Sequence, residues 1–238
     1  MIIVLKKSNI ILVGLIFLLL ITIFSLNYNK DKATSVINEQ EQQKTVLLDP
    51  GHGGEDPGAV SNYSGLKEKD VNLKIAFKVK ELLEKDNYRV IMTREEDVLN
   101  YKPGTRDIIE KRRQDLLRRK KIMDEGGADV VVSIHLNKFE QPQYYGAQAF
   151  FPPNSDESRK LAVSIQRSLK EKVDPDNKRE ALVKKEEIII FRNLKTTSAM
   201  VECGFLSNRE EEKKLSTEEY QYKIAEAIKD GIVNYFNQ

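Results

Sequence analysis

The 238-residue chain has one cysteine, two histidines and no tryptophan. A lone Cys203 excludes an internal disulfide framework and any cysteine-rich zinc cluster. A folded part near 200 residues buries roughly 70% of its unfolded surface, so it needs no such staples. An excess of charge of one sign is missing too. Lys and Arg number 39 against 37 Asp and Glu, a formal net charge of +2. Nucleic-acid-binding domains show a strong basic excess, so no nucleic acid is expected as a partner. The scarcity of histidine sets the tightest limit. Any histidine-based metal site must use at most His52 and His135 and recruit a carboxylate. No internal repeat and no second linker breaks the chain, and its length suits one ordinary domain with appendages.

What is present begins with an apolar run from Ile10 to Leu26, preceded by Lys6 and Lys7. At about 1.5 Å per residue the run spans roughly 26 Å, the short end for a hydrocarbon core of about 30 Å. No Ala-x-Ala follows it, which favours an uncleaved membrane anchor over a cleaved signal segment within residues 1–26. The two lysines favour a cytoplasmic N-terminus and a following domain outside the cytoplasm, membrane-anchored or secreted. Residues 27–44 are polar, with Gln40, Gln42 and Gln43, and read as a flexible linker. The globular domain is expected over residues 45–238.

Within that domain, strands and helices alternate. Thr45–Asp49 is a short apolar run stopped by Pro50-Gly51 and reads as a buried strand. Glu68–Asp86 has helical apolar spacing, and Tyr88–Thr93 reads as the next strand. Arg106–Glu125 is a highly charged helix closed by Gly126-Gly127. Asp129–Ile134 is β-branched and apolar, as central strands are. Gly146–Phe151 reads as a strand, Ser155–Lys172 as a helix, Glu187–Phe191 and Ser198–Val201 as short strands, and Glu218–Phe236 as the closing helix. The pattern predicts an α/β fold: one three-layer domain, a twisted and mostly parallel sheet with helices on both faces.

Both histidines follow predicted strands, where open α/β sheets place their sites. His52 sits in a glycine-rich turn, Asp49-Pro50-Gly51-His52-Gly53-Gly54-Glu55-Asp56-Pro57-Gly58, and His135 ends the central strand. If these strands are parallel, both rings point into one crevice. Glu68 opens the first helix at the same edge, and Glu202 follows the Ser198–Val201 strand there. A carboxylate ending an apolar strand is costly to desolvate unless paired or metal-bound. Two imidazoles and a carboxylate with an open position match a catalytic zinc site, with a further carboxylate as general base for amide hydrolysis. Spacing alone does not choose Glu68 over Glu55 or Asp56 as the third ligand. The cationic run Arg106–Lys121 reads chiefly as a solvated helix face, with contact to substrate carboxylates as the lesser reading.

Five stretches in order carry a resemblance across nearly all of residues 45–238. They are Leu47–Ala59, Gly65–Leu73, Val90–Arg94, Ser133–Asn137 and Val201–Asn208. Over them the chain resembles the zinc-dependent N-acetylmuramoyl-L-alanine amidases, the type 3 amidases that cut peptidoglycan between N-acetylmuramic acid and the L-alanine of the stem peptide. The resemblance implies one Zn²⁺ on His52, Glu68 and His135, with Glu202 as the catalytic carboxylate. Leu136 and Cys203 depart from the family pattern beside these residues, where they could reshape the pocket. A membrane segment on a lone catalytic domain, without wall-binding repeats, is similar to the germination-specific CwlD-type amidases of spore formers. That layout implies a role in spore cortex maturation towards muramic δ-lactam, a place in the forespore envelope, and an envelope or spore partner protein. The competing expectations are another zinc peptidase or sugar deacetylase of the wall, and a non-catalytic, membrane-tethered wall-binding module.

Overall fold

The computed structural model describes residues 16–25, 43–185 and 188–238. Most of the expected anchor, and the expected linker up to residue 42, lie outside the described residues. Residues 16–25 are helical, with Phe17, Leu18, Leu19 and Phe24 exposed. No described helix is long and apolar enough to cross a membrane. The second compact unit spans Lys44–Gln238.

That unit is built on a six-stranded sheet in the order β2-β1-β3-β6-β4-β5. Its strands are β1 (Thr45–Pro50), β2 (Arg89–Met92), β3 (Val130–Asn137), β4 (Gln148–Phe151), β5 (Leu182–Val183) and β6 (Thr197–Phe205). β1 pairs in parallel with β2 and β3, and β3 with β6, while β4 runs antiparallel to β6. The sheet is therefore mixed but mostly parallel, as the alternation of elements predicts. The helices are α1 (Glu68–Lys85), α2 (Ile108–Glu125), α3 (Asp156–Lys172), α4 (Arg209–Leu215) and α5 (Glu218–Phe236).

Strand alternation divides the interior into two cores. Val46, Leu48, Val130, Val132, Ile134 and Val201 face α1, α3 and α5. Leu47, Val131 and Met200 face the other way, towards α2, where Met123 and Phe191 join them. α1 presents Val71, Ile75, Ala76, Val79 and Leu83 at helical spacing, and its first turn carries Glu68 and Asp70, which suit the positive end of the helix dipole. α2 starts two residues later than expected because Asp107 is its cap, accepting from the Glu110 N–H at 2.8 Å. Its buried stripe is polar: Asp115 and Arg119, with Met123 one turn on.

Three assignments change. The strand expected over Glu187–Phe191 is not formed by its described residues 188–191: Ile189–Phe191 forms a 3₁₀ turn whose Ile190 and Phe191 pack in the core beside α2. A short apolar run does not distinguish the two conformations, and here β6 already fills the place beside β3. The Ser198–Val201 strand runs on to Phe205, so Glu202 lies within β6 rather than after it. His135 likewise lies within β3, just before a register shift between His135 and Asn137. β5 and α4 add two elements that the pattern alone does not reveal.

Candidate metal centre

The sheet order reverses direction from β1, with β2 on one side and β3 on the other. Crevices of α/β sheets open at the carboxyl ends of such strands. His52 follows β1 and His135 stands near the end of β3. Their rings meet edge to face with centroids 5.1 Å apart. Glu68, the first residue of α1, reaches between them: its Oε1 lies 3.2 Å from His52 Nε2 and 2.9 Å from His135 Nδ1. The three residues offer ligand atoms that all lie within 4.8 Å of one another, so they could hold one metal ion. Glu55, an alternative on spacing, points elsewhere and pairs with Lys111 and Tyr101.

The backbone leaves room for this convergence only because two neighbours lack a side chain. A Cβ on Gly51 would stand 2.1 Å from His135 Cε1, and one on Gly58 would stand 2.6 Å from Glu68 Oε2 and His52 Cδ2. His52 itself adopts φ +64°, a left-handed conformation uncommon for non-glycine residues. The carbonyls around it are clamped by two buried arginines. Arg119 donates to the oxygens of Pro50 and His52 at 2.7 and 2.6 Å, and Arg94 to those of Pro50 and Gly51 at 3.0 and 3.1 Å.

His52 and Glu68 are oriented from behind. Asp56 Oδ2 lies 2.7 Å from His52 Nδ1, and Asp56 Oδ1 pairs with Arg112 at 2.9 Å. Glu68 accepts from the N–H groups of Ala59 at 2.7 Å and Leu136 at 3.1 Å. Burial disfavours the imidazolium of His52, but hydrogen bonds and charge from Asp56 and Glu68 overcome it and raise its pKa to about 9. Burial likewise opposes ionisation of Glu68, yet the two histidines hold its carboxyl well below the usual range. A cluster of opposite charges balanced so closely suits a site that exchanges protons for a cation.

Glu202 is the β6 residue paired with His135 across the strands. Its Oε2 is buried with no protein hydrogen-bond partner among the described residues, and its Oε1 lies 3.8 Å from Lys184 Nζ. Burial pushes its carboxyl upward; His135 and Lys184 oppose the rise and Glu68 adds to it. Leu136 and Cys203, the neighbours of the site residues along their strands, turn to the opposite face and lie in the larger core. They do not line the cleft that adjoins the histidines. That cleft, of about 270 Å³, has His52, His135, Leu99, Leu116, Ile188 and Met200 in its wall.

The family model of N-acetylmuramoyl-L-alanine amidase matches residues 46–234. The chain belongs to this amidase family. It is 33% identical over 222 residues to the germination-specific N-acetylmuramoyl-L-alanine amidase of Bacillus subtilis (strain 168), covering 93% of this chain and 92% of that one. The solved CwlD amidase of Clostridioides difficile, in complex with the GerS lipoprotein, superposes with a TM-score of 0.80. It is 44% identical and is matched over 82% of this chain and 99% of its own. An N-acetylmuramoyl-L-alanine amidase of Clostridium difficile 630 gives 0.72 at 30% identity, over 83% and 99%.

The cationic run of this amidase has a purpose that its sequence does not disclose. Lys111 pairs with Glu55, Arg112 with Asp56, Arg118 donates to the Thr93 oxygen, and Arg119 joins Asp49 to Asp115. Lys111, Arg112 and Arg119 support the His52 loop, while Arg106, Arg113 and Lys121 stay exposed, as a solvated face expects. Spacing gives no signal for Asp56 as the residue behind His52 beyond the i,i+4 offset.

Proposed function

We propose that this amidase works with one zinc ion on His52, Glu68 and His135, and that Glu202 is its general base and acid. The observation that carries the reading is the convergence of two imidazole nitrogens and one carboxylate oxygen opposite a buried carboxylate with an unpartnered oxygen. Glycines at 51 and 58 leave the cradle open and Asp56 sets the orientation of His52, as carboxylates behind metal-bound histidines do. Bound there, zinc supplies a Lewis acid that polarises a carbonyl and acidifies water. Glu202 accepts the proton of the attacking water at a carboxylate oxygen. It returns the proton to the L-alanine nitrogen as the bond from that nitrogen to the lactyl carbonyl carbon breaks. The water oxygen stays on the lactyl group as a carboxylate.

On the same reading the catalytic domain works outside the cytoplasm, held to the membrane through the N-terminal segment. The exposed Phe17, Leu18, Leu19 and Phe24 support an apolar attachment. Similarity to a germination-specific relative and to an amidase solved with a lipoprotein supports action on spore cortex and a lipoprotein partner. Digestion of purified vegetative and cortex peptidoglycan, with and without added zinc, is the test. Release of new L-alanine amino termini from cortex is expected. Released acetate identifies a deacetylase instead, and no product at all a binding module.

Two further outcomes follow from the charge balance. Asp56→Asn removes the carboxylate behind His52 and is expected to weaken zinc binding about 10–100-fold in a chelator competition. For pH, the folded pKa of His52 lies above its unfolded value of 6.5, at about 9. Its charged form therefore stabilises the metal-free domain below pH 6.5, and that contribution fades as pH rises through 9. Zinc needs the neutral ring. Apparent affinity should climb about tenfold per pH unit up to about pH 9, with one proton released per ion. A flat affinity between about pH 6 and 8 contradicts the assignment.

A further inference from the structure

Beyond the metal centre, the carboxyl edge carries aromatic rings that the core does not use. Phe139, Tyr144 and Tyr145 are 43%, 41% and 51% exposed and lie close together in the chain, and a grouping of exposed rings marks a binding surface where a single one does not. They lie on the segment that leaves His135. Phe139 is four residues beyond His135, at most about 13 Å along an extended chain. The buried Phe205 beneath them is three residues beyond Glu202 on β6. One rim thus grows out of two of the strands that carry the site.

Phe139 and Tyr144 are held in place. Phe139 packs edge to face on Tyr144 and on Phe205, with centroids 5.2 Å apart in each pair, and Tyr144 stacks on Phe205 at 6.3 Å. The Arg179 guanidinium lies 4.6 Å from the Phe205 centroid, while its Nε donates to the Tyr145 carbonyl oxygen at 2.6 Å and Nη1 to Gln148 Oε1 at 2.8 Å. The Phe139 N–H donates to Ser207 Oγ at 3.1 Å. Tyr144 and Tyr145, with Gln143, Lys178 and Arg179, enclose a recess of about 260 Å³. At about 30 Å³ per water this open recess has room for roughly nine waters, enough for one sugar unit.

We propose that this rim is a glycan subsite, which holds a saccharide of the peptidoglycan strand next to the muramic acid being cleaved. The proposal rests on the amidase reading above, because continuity with that site is what selects the occupant. Aromatic faces carry negative partial charge and receive the C–H face of a pyranose. The amide of Gln143 and the cations of Lys178 and Arg179 offer donors to hydroxyl and N-acetyl oxygens at the edge of the same recess. Phe139 and Tyr144, packed on each other and on Phe205, also lose little freedom on binding.

The test uses the full-length chain and peptide-free glycan strands as the probe, with binding read by co-sedimentation or titration. Tyr144→Ala and, separately, Tyr145→Ala are expected to weaken strand binding at least about tenfold, or about 1.4 kcal/mol. Tyr145 makes none of the ring contacts described above, so its removal keeps the test valid if Tyr144→Ala misfolds. Tyr222→Ala, which removes an exposed ring of α5, should bind as the parent does. On the activity side, the loss on intact wall should exceed the loss on a soluble muramoyl-peptide by a similar factor. Parent protein that releases L-alanine amino termini, alongside both variants binding strands normally, would falsify the subsite and leave the amidase reading standing. A protein partner then becomes the occupant of the rings. Parent protein that binds strands through these tyrosines without hydrolysing peptidoglycan supports the subsite and overturns the amidase reading.

Discussion

Glu202→Gln is expected to retain zinc and lose at least about 10²-fold in the rate of L-alanine amino-terminus release, approaching about 10⁴-fold. The amide keeps the size of the carboxyl group but neither accepts the water proton nor returns it. The site singles out Glu202 as the proton carrier for a structural reason. Two other carboxylates stand near the histidines, and both are occupied: Glu68 by the two rings and two N–H groups, Asp56 by His52 and Arg112. Glu202 alone keeps a buried oxygen with no protein partner among the described residues. Its burial pushes the pKa upward, towards the range in which one carboxyl both takes and gives a proton near neutral pH. Metal content measured beside the rate separates this role from a ligand role. Undiminished turnover in a zinc-loaded Glu202→Gln protein removes Glu202 from the mechanism.

The second large effect is on stability. Arg119→Leu is expected to cost about 3–5 kcal/mol, read as a lower urea midpoint with an unchanged slope. Arg119 is fully buried and pairs with Asp49 at 3.0 Å and Asp115 at 2.6 Å. Removing it strands two buried carboxylates and frees the carbonyls of Pro50 and His52. Asp49 keeps bonds from Thr93 and Ser133, which moderates the loss without replacing the charge. Against a typical total of about 5–15 kcal/mol, the change takes a large share of the stability of the domain. Arg119→Lys should recover only part, since an ammonium does not span both carboxylates and both carbonyls with the geometry of a guanidinium. An unchanged midpoint for the leucine variant contradicts the clamp.

Much of this fold is legible in the sequence because the relevant signals are local. A β-branched apolar run marks β3, and apolar residues at helical spacing mark α1. Both histidines declare themselves by falling after apolar runs. The third ligand does not. Glu68 is 16 residues from His52, and nothing in that interval separates it from Glu55 or Asp56; only resemblance chooses it, and the fold brings Glu68 to both rings. The supporting arginines are illegible for a related reason. On α2, Arg119 differs from Arg118 and Lys120 only by which way the helix turns it, and a helix nearly uniform in charge hides its buried stripe from a hydropathy reading. The 3₁₀ turn at Ile189–Phe191 escapes differently, since three apolar residues fit either conformation until the sheet order is known.

The place of β6 in that order has a consequence for how the enzyme comes into being. β6 lies between β3 and β4, yet it is the last strand of the chain to be synthesised. A nascent or truncated chain ending before Thr197 already contains His52, Glu68 and His135. It has no Glu202, and the unpaired edge of β3 is left as a liability until β6 arrives. On the roles proposed above, hydrolysis therefore waits for nearly the whole domain. On those roles an unfinished copy of an enzyme whose family cuts cell wall lacks its proton carrier, and its open strand edge is a site for aggregation.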